Sequence, residues 1–550
     1  MTKTEKDLIA TIKIAVKKTF PDISDNAFEG FLLEVPKEKK FGDFSSNIAM
    51  RLSKELRKAP LDIAAGIIKH IEKSDAIQDI KVEKPGFINF YISNKAVIAT
   101  LKDIIKEDVE FGSSFLGNGK KVQIEFVSAN PTGPLTVAHG RQAAIGDSLA
   151  RILKFCGYDV TKEYYINDEG VQIQALGKSL KARFMEIIGE KSEFPENGYK
   201  GNYIYTIAQK LKDSEVAKQV RTNLASLSDE FFMEYASKEI MKTILEDLED
   251  FGVYFDVWYS QKILAKSGKV EKAIADLKEK GFLYEQEGAT WFRSTDLGDD
   301  KDRVIRKSDG SYTYLTPDIA YHKEKFEKGY KKIINIWGPD HHGYINRIKA
   351  ACQALGYDKE KVSILIAQLV TLYRDGKPVK MSTREGEFIT LREVMDEVGR
   401  DAARFFFIMR RTESHLDFDL ALAKAETLDN PVYYIQYAHA RISSIIEFSE
   451  NAKQNLDNLA LLDKQQEMDL IKTLVHYPKI IEAAGSNLEP SILLTYLQDL
   501  AGVFHSYYNA YRIITDDKSL TEARIVLIQA VKKIIASGLE LLGVTALKKM

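Results

Sequence analysis

Residues 121–156 constrain the fold of this chain more than any other part of its sequence. They open with KVQIEFV, whose β-branched and aromatic residues predict a buried strand. The turn SANPTGP follows, and residues 138–156 then have the length and apolar spacing of a helix that ends before Gly157. A strand, a tight turn and a helix in this order form the opening unit of a doubly wound α/β domain.

Length and composition limit the classes of protein that remain. A chain of 550 residues exceeds the size of a single core, so we expect two to four domains. With 45% hydrophobic and 29% charged residues, the composition is globular rather than disordered or fibrous. The net charge of −2 argues against a globally basic nucleic-acid binder, although local basic patches remain compatible with it. The two cysteines, Cys156 and Cys352, have no metal-ligand spacing, which argues against a disulfide scaffold and a structural zinc site.

The sequence also bears on location. Residues 1–20 are lysine-rich and amphipathic, and they lack the apolar core and cleavage site of a signal peptide. No run approaches the ~18 apolar residues that a membrane span needs. We therefore expect a cytoplasmic protein.

Changes in pattern divide the chain into three domains. Residues 1–115 mix helical and strand-like runs, which predicts an α+β domain that ends near the Gly- and Ser-rich FGSSFLGNGK. Residues 116–395 form the α/β domain, with a polar and mainly helical insertion at about 175–290. Strand-like runs such as KIINIW, at 332–337, return after it. Residues 396–550 are almost purely helical and predict a bundle.

The turn after the first strand of the α/β domain can bind phosphate. Thr136 is a plausible helix N-cap, and a helix N-terminus at the carboxyl end of a strand favours anions. His139, in the first helical turn, can donate a hydrogen bond there. A purely structural turn explains this segment equally well, because it is neither a Walker A loop nor a GxGxxG motif.

A second segment, KPVKMSTREG at 377–386, follows another apolar strand. Lysines on such a loop can close over a triphosphate and stabilise charge as pyrophosphate leaves. A solvated basic turn is the alternative interpretation of this segment taken alone.

Together the two segments resemble the signature sequences of class I aminoacyl-tRNA synthetases, His-x-Gly-His and Lys-Met-Ser-Lys-Ser. Longer blocks resemble arginyl-tRNA synthetases in particular, and they run from near one end of the chain to the other: FGDFSSNIA, VSANPTGPL, EYYINDEG, YLTPDIAYH, WGPDHHGY, DAARFFFIMRRTESHLDFDL and NPVYYIQYAHARI. The resemblance implies a Rossmann-like catalytic domain, an N-terminal domain that contacts tRNA, and a C-terminal all-α bundle that binds the anticodon.

The signatures depart from the family pattern at three positions. Thr136 stands where the first histidine is expected, and Ala138 stands where the glycine is expected. Thr383 replaces the second lysine, with Arg384 following. Losing one charge-stabilising donor can cost roughly 3 kcal/mol, so we expect these departures to affect rate rather than fold.

The resemblance implies that L-arginine and ATP form arginyl-adenylate, and that the arginyl group then passes to the 2′-hydroxyl of the terminal adenosine of tRNA. Mg²⁺ would accompany the ATP. The catalytic and ATP-binding residues it implies are Thr136, His139, Gly140, Lys380, Met381 and Ser382. For arginine it implies Asn130, Tyr314 and Asp318, and a fixed carboxylate does suit a guanidinium. Without the resemblance, Asp318 could be a helix cap and Tyr314 a core aromatic.

Further residues are candidates for tRNA contact. Tyr433 and Tyr437 can stack unpaired bases, as can Tyr434, Tyr507, Tyr508 and Tyr511, although any single one of them could be a core residue. In the N-terminal domain, Lys37, Lys39 and Lys40 form either a tRNA contact or a solvated loop.

The resemblance further implies a monomer. We expect no zinc at Asp340, His341 and His342, because adjacent histidines project differently and a third ligand at a typical spacing is not obvious. Two other functions remain open: an RNA-binding relative without catalysis, and a class I synthetase for another amino acid.

Overall fold

The computed structural model describes residues 3–28, 31, 33–36, 38–215, 227–379, 389–449 and 455–550, apart from the side chains of Lys3 and Lys39. Among the helices in these ranges, none is both long and apolar enough to cross a lipid bilayer.

The N-terminal part is an α+β unit, as predicted. Its antiparallel sheet has the order β1-β3-β2, and the aromatic strand β3 lies in the centre. Phe44 of β1 and Phe90 of β3 are almost completely buried under the helices. The elements are α1 (Lys3–Thr19), β1 (Phe44–Ser46), α2 (Ile48–Leu56), α3 (Pro60–Ile68), β2 (Ile77–Glu83), β3 (Phe87–Ile92) and α4 (Asn94–Glu107).

The middle of the chain begins with the predicted strand and helix, β4 (Lys121–Glu125) and α5 (Val137–Phe155). Helices and the next two strands of the core sheet follow: β5 (Asp159–Ile166), α6 (Val171–Ile188), α7 (Asn202–Asp213), α8 (Asp229–Asp250) and β6 (Val257–Ser260). Next come α9 (Gln261–Lys266), α10 (Lys269–Glu279), and a small antiparallel sheet of β7 (Leu283–Gln286), β8 (Ala289–Phe292) and β9 (Arg303–Arg306).

The core sheet is completed by β10 (Lys332–Trp337) and β11 (Val362–Ile366), between which lies α12 (Ile345–Ala354); α11 (Leu315–Glu327) precedes β10. All pairings in this five-stranded sheet are parallel, and its order is β11-β10-β4-β5-β6. The apolar runs of β4 and β10 are buried, as expected for strands covered on both faces. The predicted Rossmann-like core is confirmed.

The range predicted as a helical insertion, 175–290, needs a correction. It contains β6, which pairs in parallel with β5 and forms the edge of the core sheet. A strand of four residues is too short to show an alternating pattern in the sequence, and it lies between two helices.

The elements beyond β11 are β12 (Val370–Arg374), β13 (Lys377–Pro378), α13 (Leu391–Val398), α14 (Arg400–Ile408), β14 (Leu416–Asp419) and α15 (Leu420–Lys424). Strand β14 pairs in parallel with β12, so the boundary predicted at 395 separates two paired strands. The predicted bundle follows as α16 (Pro431–Phe448), α17 (Gln465–Val475), α18 (Tyr477–Ser486), α19 (Ser491–Ala510) and α20 (Lys518–Leu541).

Buried polar contacts join the three parts. Arg404 on α14 is fully buried and donates to Asp147 of α5 at 2.7 Å and to the carbonyl oxygen of Leu542, just after α20, at 3.1 Å. Between the N-terminal part and the bundle, Lys472 lies 2.9 Å from Asp43. Helix α5, which carries the first signature, is therefore bonded through Arg404 to the end of the bundle.

Candidate active site

A cavity of about 530 Å³ opens at the carboxyl ends of β4, β5 and β10. In parallel α/β sheets this edge is where ligands bind. Four residues predicted to bind substrate line the cavity: Asn130, His139, Tyr314 and Asp318.

The backbone is strained where β4 runs into the cavity. Val127 and Ser128 have φ angles of 68° and 41°, although neither is glycine. A positive φ is unusual for any such residue and especially for a β-branched one. The Ser128 hydroxyl donates to Glu125 at 3.2 Å and accepts the amide of Tyr165 at 3.1 Å, which holds this turn in place. Strain of this kind clusters at functional sites.

The first turn of α5 sets the protonation of His139. Thr136 is the N-cap residue, as predicted, and its backbone N–H donates to Nδ1 of His139 at 3.1 Å. Because Nδ1 accepts this bond, the neutral ring carries its proton on Nε2. Burial lowers the pKa of His139 to about 4, so the ring is neutral at pH 7. The Nε2–H group is thus available as a neutral donor.

Gly140, which was also predicted to bind ATP, packs against neighbouring helices and not against the cavity. A Cβ atom at this position would lie 2.7 Å from Cδ1 of Leu391 and 3.0 Å from Cε2 of Phe407. Gly140 therefore allows α5 to pack closely against α13 and α14. It does not line the cavity, and this packing is a sufficient reason for a glycine here.

Lys380, Met381, Ser382, Thr383 and Arg384 of the second signature lie outside the described residues. The described chain on either side of them is anchored by backbone pairing. On one side the amide of Val379 donates to the carbonyl oxygen of Leu372 at 2.8 Å, and on the other that of Leu391 donates to Leu135 at 2.8 Å. Thr390 also bridges to Thr136. The described chain that follows the second signature, at Thr390 and Leu391, is thus held beside the start of the first.

The two residues predicted to recognise a guanidinium lie at the start of α11. Tyr314 is its N-cap residue and is 62% exposed, so it is not a core aromatic. Asp318 lies in the first turn, and its carboxylate makes no hydrogen bond or ion pair with the residues that the structure describes, so it is not a helix cap. Burial, with Glu125 nearby, raises the pKa of Asp318 to about 7. This carboxylate therefore lacks a cationic partner.

Asn130 lies in the turn after β4, lines the cavity and donates to Gln172 at 2.6 Å. Asp340 and His341 also line the cavity, with 3.4 Å between Oδ2 of Asp340 and Nε2 of His341. Within the described ranges, no group of three or more His, Cys, Asp or Glu side chains is arranged to hold a metal ion.

The charged residues behind Asp318 were not among the site residues predicted from the sequence. Lys325 is 1% exposed and lies 2.6 Å from Glu125, a carboxylate at the end of β4 that lines the cavity. His322 on α11 also lines the cavity. Two signals could have indicated them: a glutamate between the apolar Ile124 and Phe126 towards the end of a predicted strand, and polar residues at 318, 322 and 325, a spacing that puts them on one face of a helix.

Comparison with known proteins identifies the family. Residues 100–428 match the family model described as tRNA synthetases class I (R), catalytic domain. Residues 6–92 match the arginyl tRNA synthetase N terminal domain, and residues 435–550 match the DALR anticodon binding domain. The chain belongs to the arginyl-tRNA synthetases.

Individual relatives of this synthetase agree over the full length. The arginine–tRNA ligase of Citrifermentans bemidjiense is 46% identical over 558 residues, covering 99% of this chain and 100% of the relative. That of Geobacillus kaustophilus is 47% identical over 529 residues, covering 94% of each chain. The arginyl-tRNA synthetase structure of Thermus thermophilus superposes with a TM-score of 0.78 over 99% of this chain and 100% of that chain, at 21% identity, and supports the fold.

The bundle of this synthetase presents an aromatic surface on α16. Tyr433 and Tyr437 are half-buried and stack with 6.1 Å between their ring centroids, and Tyr437 lies 5.8 Å from the ring of His505. Tyr507 is fully buried and donates to Glu467, so the interpretation of Tyr507 as a base-stacking residue is wrong. It belongs to the core because it lies on the inward face of α19.

In the N-terminal domain, Lys40 is exposed and lies 2.7 Å from Glu38. Lys37 and the side chain of Lys39 lie outside the described residues.

Proposed function

We propose that the cavity at the edge of the five-stranded sheet joins L-arginine to ATP, and that the product arginyl group passes to a tRNA held by the bundle. The family is one of class I ligases that use ATP, and arginine–tRNA ligation is its activity. The observation that carries the assignment to this cavity is the carboxylate of Asp318. It has no hydrogen-bond or ion-pair partner among the described residues, and it shares the cavity with His139 at the start of α5.

The chemistry needs little covalent participation from the protein. A carboxylate oxygen of arginine attacks the α-phosphorus of ATP, and pyrophosphate leaves with the bonding electron pair. The 2′-hydroxyl oxygen of the tRNA then attacks the carbonyl carbon of the adenylate, and AMP leaves. Both steps depend on positioning the reactants and on stabilising phosphate charge.

Asp318 would accept the guanidinium in a bidentate bond, and Tyr314 and Asn130, which line the same cavity, would provide further contacts. Because its pKa lies near neutrality, Asp318 would lose its proton as the cation binds. At the other end, His139 would donate Nε2–H to a phosphate oxygen. Thr136 fixes the tautomer of His139, so its contribution would be indirect.

Lys380, Met381 and Ser382 remain proposed ATP contacts on the strength of the signature they match. Mg²⁺ would arrive with the nucleotide as part of the substrate. For tRNA we propose contacts at Tyr433 and Tyr437, supported by their partial exposure, and at Lys37, Lys39 and Lys40. We further propose a monomer that works in the cytoplasm, where its tRNA substrate is used.

Arginine-dependent exchange of pyrophosphate into ATP, measured with and without cognate tRNA, tests the proposal. We expect exchange with arginine, strongest when tRNA is present. Exchange that requires a different amino acid would contradict the choice of substrate. Tight tRNA binding without any exchange would indicate a relative that has lost catalysis.

A further inference from the structure

Lys325 lies beneath the cavity floor, where its surroundings are unusual for a lysine. Its side chain is 1% exposed, and Nζ donates to Glu125 at 2.6 Å and to Oδ1 of Asn335 at 3.1 Å. The ammonium also lies 4.1 Å from the ring centroid of Tyr321. Lys325 does not line the cavity itself. It therefore acts on a ligand through its charge and through the residues it touches, rather than by direct contact.

One of those contacts continues to the backbone of Asp318. An ammonium can only donate, so Asn335 must turn its oxygen to Lys325 and its NH₂ group towards His322. Nδ2 of Asn335 lies 2.9 Å from Nε2 of His322, and Nδ1 of His322 lies 2.8 Å from the carbonyl oxygen of Asp318. This requires a neutral His322 with its proton on Nδ1. Burial, together with Lys325, lowers the pKa of His322 to about 4, in agreement with this state.

The second contact sets the charge of the cavity. Burial by itself would raise the pKa of Glu125, but Lys325, together with His322 and Ser128, outweighs that effect and the pKa lies below its ordinary value. Glu125 in turn helps to raise the pKa of Asp318, while Lys325 lowers it. Lys325 neutralises Glu125 by pairing with it at 2.6 Å, so the carboxylate of Asp318, which has no such pair among the described residues, is left to meet a cation. A guanidinium carries one positive charge.

Other groups contribute to the field at this point. Five titratable side chains on neighbouring elements face the Glu125–Lys325 pair or Asp318. They are Tyr321 and His322 on α11, Glu163 and Tyr165 on β5, and Cys352 on α12. The pKa of each tyrosine and of the thiol is raised, chiefly by burial, so all three stay neutral near pH 7. Lys325 is the cation among the described groups that offsets the cavity carboxylates.

We propose that Lys325 is a positioning residue of the arginine pocket: it keeps Glu125 and Asp318 available as carboxylates and, through Asn335 and His322, orients the first turn of α11. This inference rests on the proposed function. It predicts that a change at Lys325 alters arginine recognition selectively, although the lysine never touches arginine.

The test compares Lys325→Met with Lys323→Met in pyrophosphate exchange. Lys323 is a matched control because it lies on the same helix, has a side chain only 7% exposed, and pairs with Glu327 at 2.6 Å and Asp276 at 3.2 Å, away from the cavity. We expect Lys325→Met to raise the KM for arginine roughly ten- to hundredfold, while the KM for ATP changes less than about twofold. Lys323→Met should leave both unchanged.

The pH profile separates positioning from general destabilisation. Without Lys325 the two carboxyls take up their first proton at higher pH, so the acid limb of kcat/KM for arginine should move up by about one pH unit. Lys325→Gln keeps a donor for Glu125 without the charge; it should show the same displacement, and it provides the readout should Lys325→Met fail to fold.

An unmoved acid limb, with equal changes in the two KM values, would overturn the inference and leave Lys325 a merely structural residue. Asp318→Asn serves as the reference for the pocket itself. If Asp318→Asn has no selective effect on arginine, the proposed pocket is wrong, whatever Lys325 does. If Asp318→Asn acts selectively and Lys325→Met does not, only the inference about Lys325 fails.

Discussion

Two clusters of buried charge lie within the catalytic domain, and they are balanced in opposite ways. In the α5 cluster a single carboxylate, Asp147, lies 2.7 Å from Arg404, 3.0 Å from Lys162 and 2.8 Å from Arg151. In the cavity cluster Lys325 lies 2.6 Å from Glu125, while the second carboxylate, Asp318, makes no ion pair with the described residues. Cations are in surplus in the first cluster and carboxylates in the second.

The excess of cations in one cluster and of carboxylates in the other indicates what each cluster does in the protein. Burial would raise the pKa of Asp147, but its three cations lower it to about 2, so the carboxylate stays ionised and fully paired. The remaining donors of Arg404 reach the carbonyl oxygens of Leu542 and Phe251, which joins separate parts of the chain. The carboxylate of Asp318 makes no such hydrogen bonds or ion pairs with the described residues. A group with every bond satisfied holds the fold together, whereas an unsatisfied one in a cavity is free to bind a ligand.

The largest predicted effect is the loss of folding stability in Arg404→Met. Removing one partner of a buried ion pair leaves uncompensated polar groups, which costs about 3–5 kcal/mol. We expect the midpoint of urea unfolding to fall accordingly, while the KM for arginine of the folded protein changes less than about twofold.

Arg400→Met is the matched control, because Arg400 lies one turn away with its side chain 45% exposed, 3.3 Å from Asp401. It should cost less than about 1 kcal/mol. An unchanged unfolding midpoint together with a large rise in the KM for arginine in Arg404→Met would show that the α5 cluster serves the site instead.

Asp318→Asn should affect the recognition of arginine, in contrast to Arg404→Met, which should affect folding stability. It removes the charge that recognises the guanidinium, so kcat/KM for arginine should fall about a hundredfold, or roughly 3 kcal/mol, while the KM for ATP stays nearly constant. Steady-state kinetics with each substrate varied in turn measures both values.

Asp340→Asn provides the comparison for Asp318→Asn, since Asp340 lines the same cavity with a side chain that is 79% exposed. It should change the KM for arginine less than about twofold. Similar losses of arginine recognition in the two variants would mean that general negative charge, rather than Asp318, attracts the substrate.

The two clusters should also respond differently to pH. The pKa of Asp318 rises from 3.8 to about 7 on folding, so its contribution to stability is complete below about pH 4 and is lost as the pH rises through about 7. The difference in unfolding free energy between wild type and Asp318→Asn should fall over this window by at most about 1.4 kcal/mol per pH unit.

For Asp147 the pKa is depressed, so its contribution is present above about pH 4 and lost only as the pH falls towards about 2. The difference between wild type and Arg404→Met should therefore be flat from about pH 5 to about pH 8. A slope in this difference, or none for Asp318→Asn, would contradict the contrast between the clusters.

Local patterns in the sequence can indicate Glu125 and Lys325 as unusual residues, but they do not show which charges meet in either cluster. Lys325 and Glu125 are 200 positions apart, and Arg404 and Asp147 are 257 positions apart. Periodicity predicts β10 and α5 because it reports on neighbours along the chain. It cannot predict which distant charges meet, nor the positive φ of Val127, a residue type that favours extended strands. The position of Asp318 was predicted from the family resemblance, but its lack of a partner could only come from the fold.

The smallest predicted effect concerns two tyrosines of the bundle, one partly exposed and one buried with its hydroxyl hydrogen-bonded. Tyr437 is half-buried and stacks on Tyr433 and His505, whereas Tyr507 is buried and its hydroxyl donates to Glu467 at 3.3 Å. Tyr437→Ala should weaken tRNA binding about tenfold, because one base–aromatic stack contributes roughly 1–3 kcal/mol. Tyr507→Phe keeps the ring and should leave tRNA affinity unchanged. Fluorescence anisotropy at one fixed salt concentration measures both affinities, since phosphate contacts make them depend on salt. Equal affinities for the two variants would remove Tyr437 from the tRNA surface and assign α16 to packing alone.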